Sequence, residues 1–485
     1  MIIGVDIGTS LTKASLITRS GDSLLTATKE SVVNQMPGGM VEQDFDDVLA
    51  TVRYVVREVA ASADDIEGIA ITGQGDGLWL RDADGRPVRN PISWMDGRGS
   101  RIVSDWSRGG RDSVAHRVYR STGSGIFPGC AAPLLKWMAD HEPENLDRAA
   151  VAGYCVDAVV GALTGEITVD ASDASLPFLN VRTREYSLDA LEACGIGDYR
   201  RLLADPAPPG HVFRLSRSGA DQLGLPIGTP LTAGPFDLPA CAFGSGVTEP
   251  GDGTLVVGTT LGCEVLSDDP VIDPDGEPAG MWLATPHPDE YMRVMPAMVG
   301  TASIDWLMNL FGRRAWHVGE LLDQSPPGAN GVNALSFLSP SGERAPFVDP
   351  NARGQLSGLS LDTNPADIAR ALCEGIAFAA RHCLEAGGLD GELSACGGGM
   401  KSAEWAQIFA DVVGREIHLP IETGVGARGA AMAAWDALGD PVDRAEWKQR
   451  RRVFTPDPQR VEFYDRGYTG YREQLDSARA LWSGR

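Results

Sequence analysis

The chain has 485 residues, 43% hydrophobic and 22% charged, which predicts two or three globular domains with ample core. Its 42 basic and 66 acidic side chains give a formal charge of −24, with an isoelectric point near 4.7. Such a surface repels nucleic acid and anionic membranes, which excludes both as partners, and any phosphate site must be built locally.

The first element is the apolar run Met1-Ile2-Ile3-Gly4-Val5, which reads as a buried strand. It breaks into Asp6-Ile7-Gly8-Thr9-Ser10, a tight turn, and continues as a second strand from Lys13 to Ile17. The hairpin tip gathers backbone N–H groups, two hydroxyls and a carboxylate. Such a tip suits polyphosphate, because amides and hydroxyls donate to anionic oxygens and glycine permits close approach.

A helix is predicted from about Phe45 to Ala61, with Val48, Val52, Val55, Val56 and Val59 near a 3.6 period. Residues 66–72 read as a strand ending in Gly73-Gln74-Gly75-Asp76-Gly77. A further strand around Leu78-Trp79-Leu80 precedes the segment Trp94-Met95-Asp96-Gly97-Arg98. These residues have the chemistry of a polyol site: carboxylates and amides pair with vicinal hydroxyls, and an indole face packs on C–H surface. Core packing of Trp94 and pairing of Arg98 with Asp96 are the alternatives.

The longest apolar stretch, residues 149–165, contains Asp157 and is too short to span a bilayer, so it reads as a core helix. Residues 206–210, rich in proline, form a loop. In Gly234-Pro235-Phe236-Asp237 an apolar strand ends and a helix begins. A carboxylate there is placed to accept a proton from a hydroxyl, although an N-cap aspartate also fits.

A boundary is expected near Gly246. Beyond it, residues 253–262 repeat the opening pattern of strand, Gly-Thr turn and strand, which points to a duplicated domain. Residues 393–396 read as a strand leading to Gly397-Gly398-Gly399 and a helix carrying Trp405, Gln407 and Asp411. A glycine run before a helix N-terminus admits a nucleotide. The basic cluster from Lys448 to Arg452 reads as a solvated helix face. Eight cysteines without a Cys-x-x-Cys pair, and an N-terminus without signal-peptide features, predict reduced thiols in a cytoplasmic protein.

Taken together these segments resemble the FGGY family of carbohydrate kinases, within the sugar kinase, chaperone ATPase and actin superfamily. Five stretches carry the resemblance in order: Asp6 to Ser10 with Lys13; Gly73 to Gly77 with Trp94 to Arg98; Gly234 to Asp237; Gly342 to Gly354; and Cys396 to Ser402 with Trp405 and Gln407. The resemblance implies an α/β protein of two ribonuclease-H-like domains, 1–246 and 247–485, around a deep ATP and sugar cleft. It implies ATP and Mg²⁺ as cofactors, and a homodimer is compatible with the family.

By the same resemblance Thr9, Ser10 and Lys13 surround the transferring phosphate, and Gly258, Thr259 and Thr260 form a second phosphate segment. Gly398, Gly399, Met400 and Ser402 belong to the adenosine site. Asp6, with Asp237, faces Mg²⁺ through water, as that ion keeps several waters. Asp237 is the expected catalytic base and also binds substrate, with Gln74, Asp76, Trp94, Asp96 and Arg98. Leu238 departs from the family, which usually carries Asn or Gln after this aspartate.

Gln74-Gly75-Asp76-Gly77 replaces the Gln-Met-His-Gly of many xylulose kinases; Gly75 is expected to leave space, and the carboxylate favours neutral, hydroxyl-rich ligands. The string resembles erythritol kinases and their L-xylulose kinase relatives, so erythritol or a pentulose such as xylulose is expected. Other specificities (glycerol, ribulose, gluconate) are the alternatives within the family. A non-catalytic sugar sensor with the same fold and a chaperone-like or actin-like ATPase are the alternatives outside it; a sensor needs no proton acceptor.

Overall fold

The structure is a computed structural model, and it describes residues 1–63, 65–314, 317–421, 424–448 and 450–482. The chain forms two compact α/β units that interleave in sequence. The first comprises Met1–Thr248, Ser267–Met292 and Glu422–Lys448; the second comprises Glu249–Leu266, Arg293–Ile421 and Gln449–Arg485.

The first unit is built on β1 (Ile2–Ile7), β2 (Leu11–Ile17), β3 (Ser23–Glu30), β4 (Gly68–Gly73), β5 (Phe213–Arg214) and β6 (Pro230–Ala233). The sheet order is β5-β6-β4-β1-β2-β3. β1 runs antiparallel to β2, with Asp6 opposite Lys13, and parallel to β4, with Asp6 opposite Thr72. The expected first hairpin is therefore present, and its carboxylate sits at the end of a central strand.

Helix α1 (Phe45–Ala60) starts where Asp44 accepts from the backbone N–H groups of Asp46 and Asp47, at 2.8 and 3.2 Å. All five valines of its predicted stripe are buried against the sheet. The apolar stretch 149–165 begins as a short strand, Val151–Gly153, before it becomes the helix Cys155–Thr164. Inside that helix Asp157 is buried and paired with Arg81, which accounts for a carboxylate in an apolar run.

The second unit repeats the first. Strands β7 (Gly253–Val257) and β8 (Leu261–Ser267) form a hairpin, and β9 (Leu393–Cys396) lies parallel to β7 as β4 does to β1. β10 (Ile417–Pro420) flanks β9 in parallel, as β6 flanks β4. The basic cluster expected to be a helix face instead enters β11 (Arg450–Phe454), antiparallel to β10 at the end of that sheet. Alternation explains the difference: Arg452 stacks its guanidinium 4.3 Å from the Phe454 ring, a same-face strand pair. Gln449, within the cluster, lies outside the described residues.

Helices α2 (Asp237–Gly244) and α5 (Val425–Ala437) belong to the first unit; α3 (Pro365–Gly387), α4 (Ala403–Val413) and α6 (Pro458–Trp482) belong to the second. Among the described residues no helix is long and apolar enough to cross a membrane. None of the eight cysteines is in a disulfide, and six are buried.

Candidate active site

In the first unit the site grows from strand ends. β1 delivers Asp6, β4 delivers Gln74 and Asp76 just beyond Gly73, and β6 leads through Gly234 to Asp237. Three adjacent strands of one sheet thus place their carboxylates at the same edge. Asp237 is the first residue of α2 and Phe236 occupies the N-cap position, so the carboxylate does not cap its own helix.

Asp237 keeps a partly accessible side chain, yet its surroundings strip most of its hydration. Desolvation first, then the Asp6 and Asp76 carboxylates, push its pKa up to about 8. Burial also raises Asp6, against the pull of Lys13. Asp76 is 8% exposed and holds a positive φ of 57°, a strained backbone for a side chain other than glycine.

Gly75 does not leave the expected space. A Cβ there would stand 2.6 Å from the Phe236 ring, so the glycine is required for that ring to pass. Phe236 is held in turn by its backbone N–H, which donates to Ser172 Oγ at 3.0 Å.

Ser172 introduces a residue that sequence reasoning missed. Asp173 lies beside it in the short helix Ala171–Ala174, fully buried, and among the described residues neither carboxyl oxygen has a hydrogen-bond partner. Burial, then Asp170, Asp157, Asp76 and Asp237, raise its pKa well above the carboxylate range. The only signal in the sequence was Asp170-Ala171-Ser172-Asp173, two acids spaced across one turn of helix.

The predicted polyol residues divide into two groups. Trp94 donates from Nε1 to Thr9 Oγ1 at 2.9 Å, and Thr9 donates to Gln74 Oε1 at 3.1 Å, so the first hairpin meets the segments that carry Gln74 and Trp94. Asp96 and Arg98 instead engage each other: Arg98 Nε donates to Asp96 Oδ1 at 2.8 Å and Nη2 to Oδ2 at 2.9 Å. Arg98 also pairs with Glu42 at 2.8 Å and lies 4.8 Å from the Trp137 ring, while Asp96 accepts from the Val41 N–H at 2.6 Å. That cluster fixes the loop that carries Trp94.

The hairpin tips are tied back through their carbonyls. Ser31 donates from N to Ser10 O and from Oγ to Gly8 O, both at 3.1 Å. In the second unit Thr301 N donates to Gly258 O at 2.8 Å and Ala302 N to Thr259 O at 3.3 Å. Gly300 makes this possible, since a Cβ there would lie 2.5 Å from Thr259 O. Thr260 O accepts from Gly258 N at 3.1 Å and closes the turn.

The glycine run after β9 has two roles. Cβ atoms on Gly397 and Gly399 would meet Val257 at 2.5 and 2.3 Å, whereas Gly398 faces open space. Only Gly398 therefore offers a free face of backbone. Met400 is buried in the core of the second unit, and Ser402 caps α4 by accepting from Trp405 N at 3.3 Å. Trp405 is core, and Asp411 accepts from Gln407 Nε2 at 2.8 Å and Asp457 N at 2.9 Å, a tie between α4 and α6.

Among the described residues no group of three or more His, Cys, Asp or Glu side chains is arranged to hold a metal ion directly. The Asp6 and Asp237 pair, partly accessible and mutually repulsive, has the chemistry to face a hydrated divalent cation.

Comparison with known proteins agrees with this construction. Residues 1–244 match the N-terminal domain model of the FGGY family of carbohydrate kinases, and residues 253–438 match its C-terminal domain model. The chain is 30% identical over 516 residues to an erythritol kinase of Brucella abortus, covering 99% of this chain and 97% of the relative. It is 29% identical over 486 residues to a xylulose kinase of Bacillus subtilis, covering 96% and 94%. Among solved structures, a xylulose kinase from Rhodospirillum rubrum superposes with a TM-score of 0.87 at 26% identity, covering 99% of both chains. Family membership implies ATP as phosphoryl donor and a small sugar or polyol as acceptor. The chain belongs to the FGGY family of carbohydrate kinases.

Proposed function

We propose that the protein transfers the terminal phosphoryl group of ATP to a hydroxyl of a small neutral polyol or ketose, with erythritol or a pentulose such as xylulose as the acceptor. The observation that carries this reading is Asp237, a partly accessible carboxylate at the end of β6 whose pKa is pushed up to about 8. A base of that strength takes a hydroxyl proton as the oxygen attacks phosphorus.

The acceptor class follows from charge. Asp76, Asp173 and Asp237 act electrostatically on one another. Negative charge on an acceptor such as gluconate opposes ionisation of Asp237, the state that takes the hydroxyl proton, whereas a polyol donates hydroxyls to these carboxyl oxygens. The similarity to an erythritol kinase supports the tetritol end of the range. Gln74 and Asp76 bind acceptor hydroxyls and Trp94 covers the C–H face; Asp96 and Arg98 form the wall behind.

Thr9, Ser10 and Lys13 grip the transferring phosphate, Gly258 to Thr260 grip a second phosphate, and Gly398, Gly399, Met400 and Ser402 form the adenosine turn. Asp6 and Asp237 face Mg²⁺ through water; when bound, the ion offsets negative charge on the phosphate oxygens. We assign the two related halves, as stretches of sequence, to residues 1–246 and 247–485, with Ser267–Met292 and Glu422–Lys448 returning to the first compact unit. The test is ADP release with Mg-ATP against erythritol, D-threitol, xylitol, D- and L-xylulose, D- and L-ribulose, glycerol and gluconate. Release that depends on a neutral four- or five-carbon acceptor is expected; release driven best by gluconate contradicts the charge argument.

A further inference from the structure

Four side chains of the first unit form a continuous hydrogen-bonded series. Trp94 Nε1 donates to Thr9 Oγ1 at 2.9 Å, Thr9 donates to Gln74 Oε1 at 3.1 Å, and Gln74 Nε2 donates to Gln43 Oε1 at 2.8 Å. Gln43 is fully buried and Gln74 is 3% exposed, so the inner links are shielded from water. Gln43 is also anchored by its backbone N–H, which donates to Pro91 O at 3.0 Å, three residues before Trp94.

The series has a polarity. A threonine hydroxyl owns one proton. Here that proton goes to Gln74 Oε1, and the Thr9 oxygen accepts from the indole. Phosphate oxygens at neutral pH are acceptors, so Thr9 donates to phosphate only after its proton turns away from Gln74. A polyol hydroxyl supplies the exchange: one O–H donates to Gln74 Oε1 in place of Thr9, and one oxygen accepts from the Trp94 indole N–H. Each bond lost by Thr9 is replaced by one to the acceptor, so Gln74 Oε1 and the Trp94 N–H stay satisfied through the exchange, while Gln43 Nε2, buried with no hydrogen-bond partner among the described residues, is unaffected by it.

We propose that Gln43, Gln74, Thr9 and Trp94 form a positioning relay that withholds the Thr9 hydroxyl from phosphate until the acceptor alcohol takes over Gln74 and Trp94. The proposal rests on the assignment of Thr9 to the phosphate site and of Gln74 and Trp94 to the acceptor site. Gln43 becomes a positioning residue that touches neither ligand and sets the orientation of the Gln74 amide. Acceptor and nucleotide then bind with positive coupling, and by linkage each tightens the other by the same factor.

The experiment measures binding of a non-hydrolysable ATP analogue by calorimetry, with and without the saturating acceptor identified by ADP release. The wild-type protein is expected to bind the analogue about 5-fold or more tighter with acceptor present, within the usual range of such couplings. Trp94→Phe keeps the ring and loses the N–H; Thr9→Val keeps the shape and loses the hydroxyl. Each should reduce the coupling to within about twofold, and Trp94→Phe should raise acceptor-independent ADP release.

Thr9→Ser restores a hydroxyl and should restore the coupling. Gln43→Glu keeps an acceptor for Gln74 Nε2 and should retain it, whereas Gln43→Leu should not. Should Trp94→Phe fail to fold, the Thr9→Val and Thr9→Ser pair decides alone. Acceptor-dependent ADP release in wild type without coupling overturns the relay and leaves the kinase reading standing. Full coupling in Thr9→Val likewise overturns it. Absence of ADP release with every acceptor overturns the functional reading, and the relay with it.

Discussion

Asp237, the proposed base, would set function and stability against each other. Its pKa near 8 lies above the ordinary aspartate value of 3.8, so the folded chain holds this proton where the unfolded chain has released it. The stability linked to that proton is complete below pH 3.8 and is lost as pH rises through about 8. Asp237→Asn removes the dependence. Its gain in melting temperature over wild type should be larger near pH 9 than near pH 5, where only part of the linked stability has been lost. Equal differences at both pH values would show that the carboxyl titrates normally.

Asp173 contrasts with Asp237. Buried with no hydrogen-bond partner among the described residues, its carboxyl is pushed well above the ordinary aspartate value, chiefly by burial, which favours the uncharged acid, so an amide is a close substitute for it. Asp173→Asn should retain turnover within about tenfold, while Asp237→Asn loses about 10²–10⁴ as expected for loss of a general base. The placement of Asp237 was legible in the sequence because a strand end, a glycine and a helix start are local signals, whereas its proposed role as base came from the family resemblance. Asp173 was not, because its meaning comes from Asp76 and Asp237, which the fold brings to it.

At the scale of elements, the site depends on α5 pressing against β1 and α2. A Cβ on Gly4 would stand 2.3 Å from Ala427 O, one on Gly244 1.8 Å from Val425 O, and one on Gly429 1.9 Å from Ala240 O. Gly426 comes equally close to the site, with its Cβ position 2.7 Å from Asp6 Oδ2. Buried Arg428 caps the arrangement by donating to Gly21 O at 3.0 Å, Gly244 O at 2.7 Å and Trp447 O at 2.5 Å. Backbone cannot yield as a side chain does, so Gly429→Ala should cost about 1–3 kcal/mol or more and lower the melting temperature. An unchanged melting temperature would show that the helices separate freely. The hairpins and α1 were legible from their periods; the α5 packing was not, because runs of small residues carry no periodic signal.

At the scale of the molecule, the two sheets repeat one arrangement: a hairpin, a parallel strand beside its first arm, and another parallel strand beyond. The Gly-Thr turns alone suggested this duplication, and the strand order shows it. What the turns did not indicate is that the units interleave, with Ser267–Met292 and Glu422–Lys448 returning to the first. A fragment ending at Gly246 therefore lacks α5, and its β1 and α2 are left with an uncovered face. It should show no cooperative thermal transition; a sharp one would mean the first 246 residues fold without α5.

The most direct test of the central claim is the pH profile of kcat/KM for acceptor-dependent ADP release by wild type and Asp237→Asn. Wild-type activity is expected to rise through an apparent pKa near 8, and the variant to lose both the activity and that rise. A variant with wild-type turnover and the same profile would remove Asp237 from the chemistry.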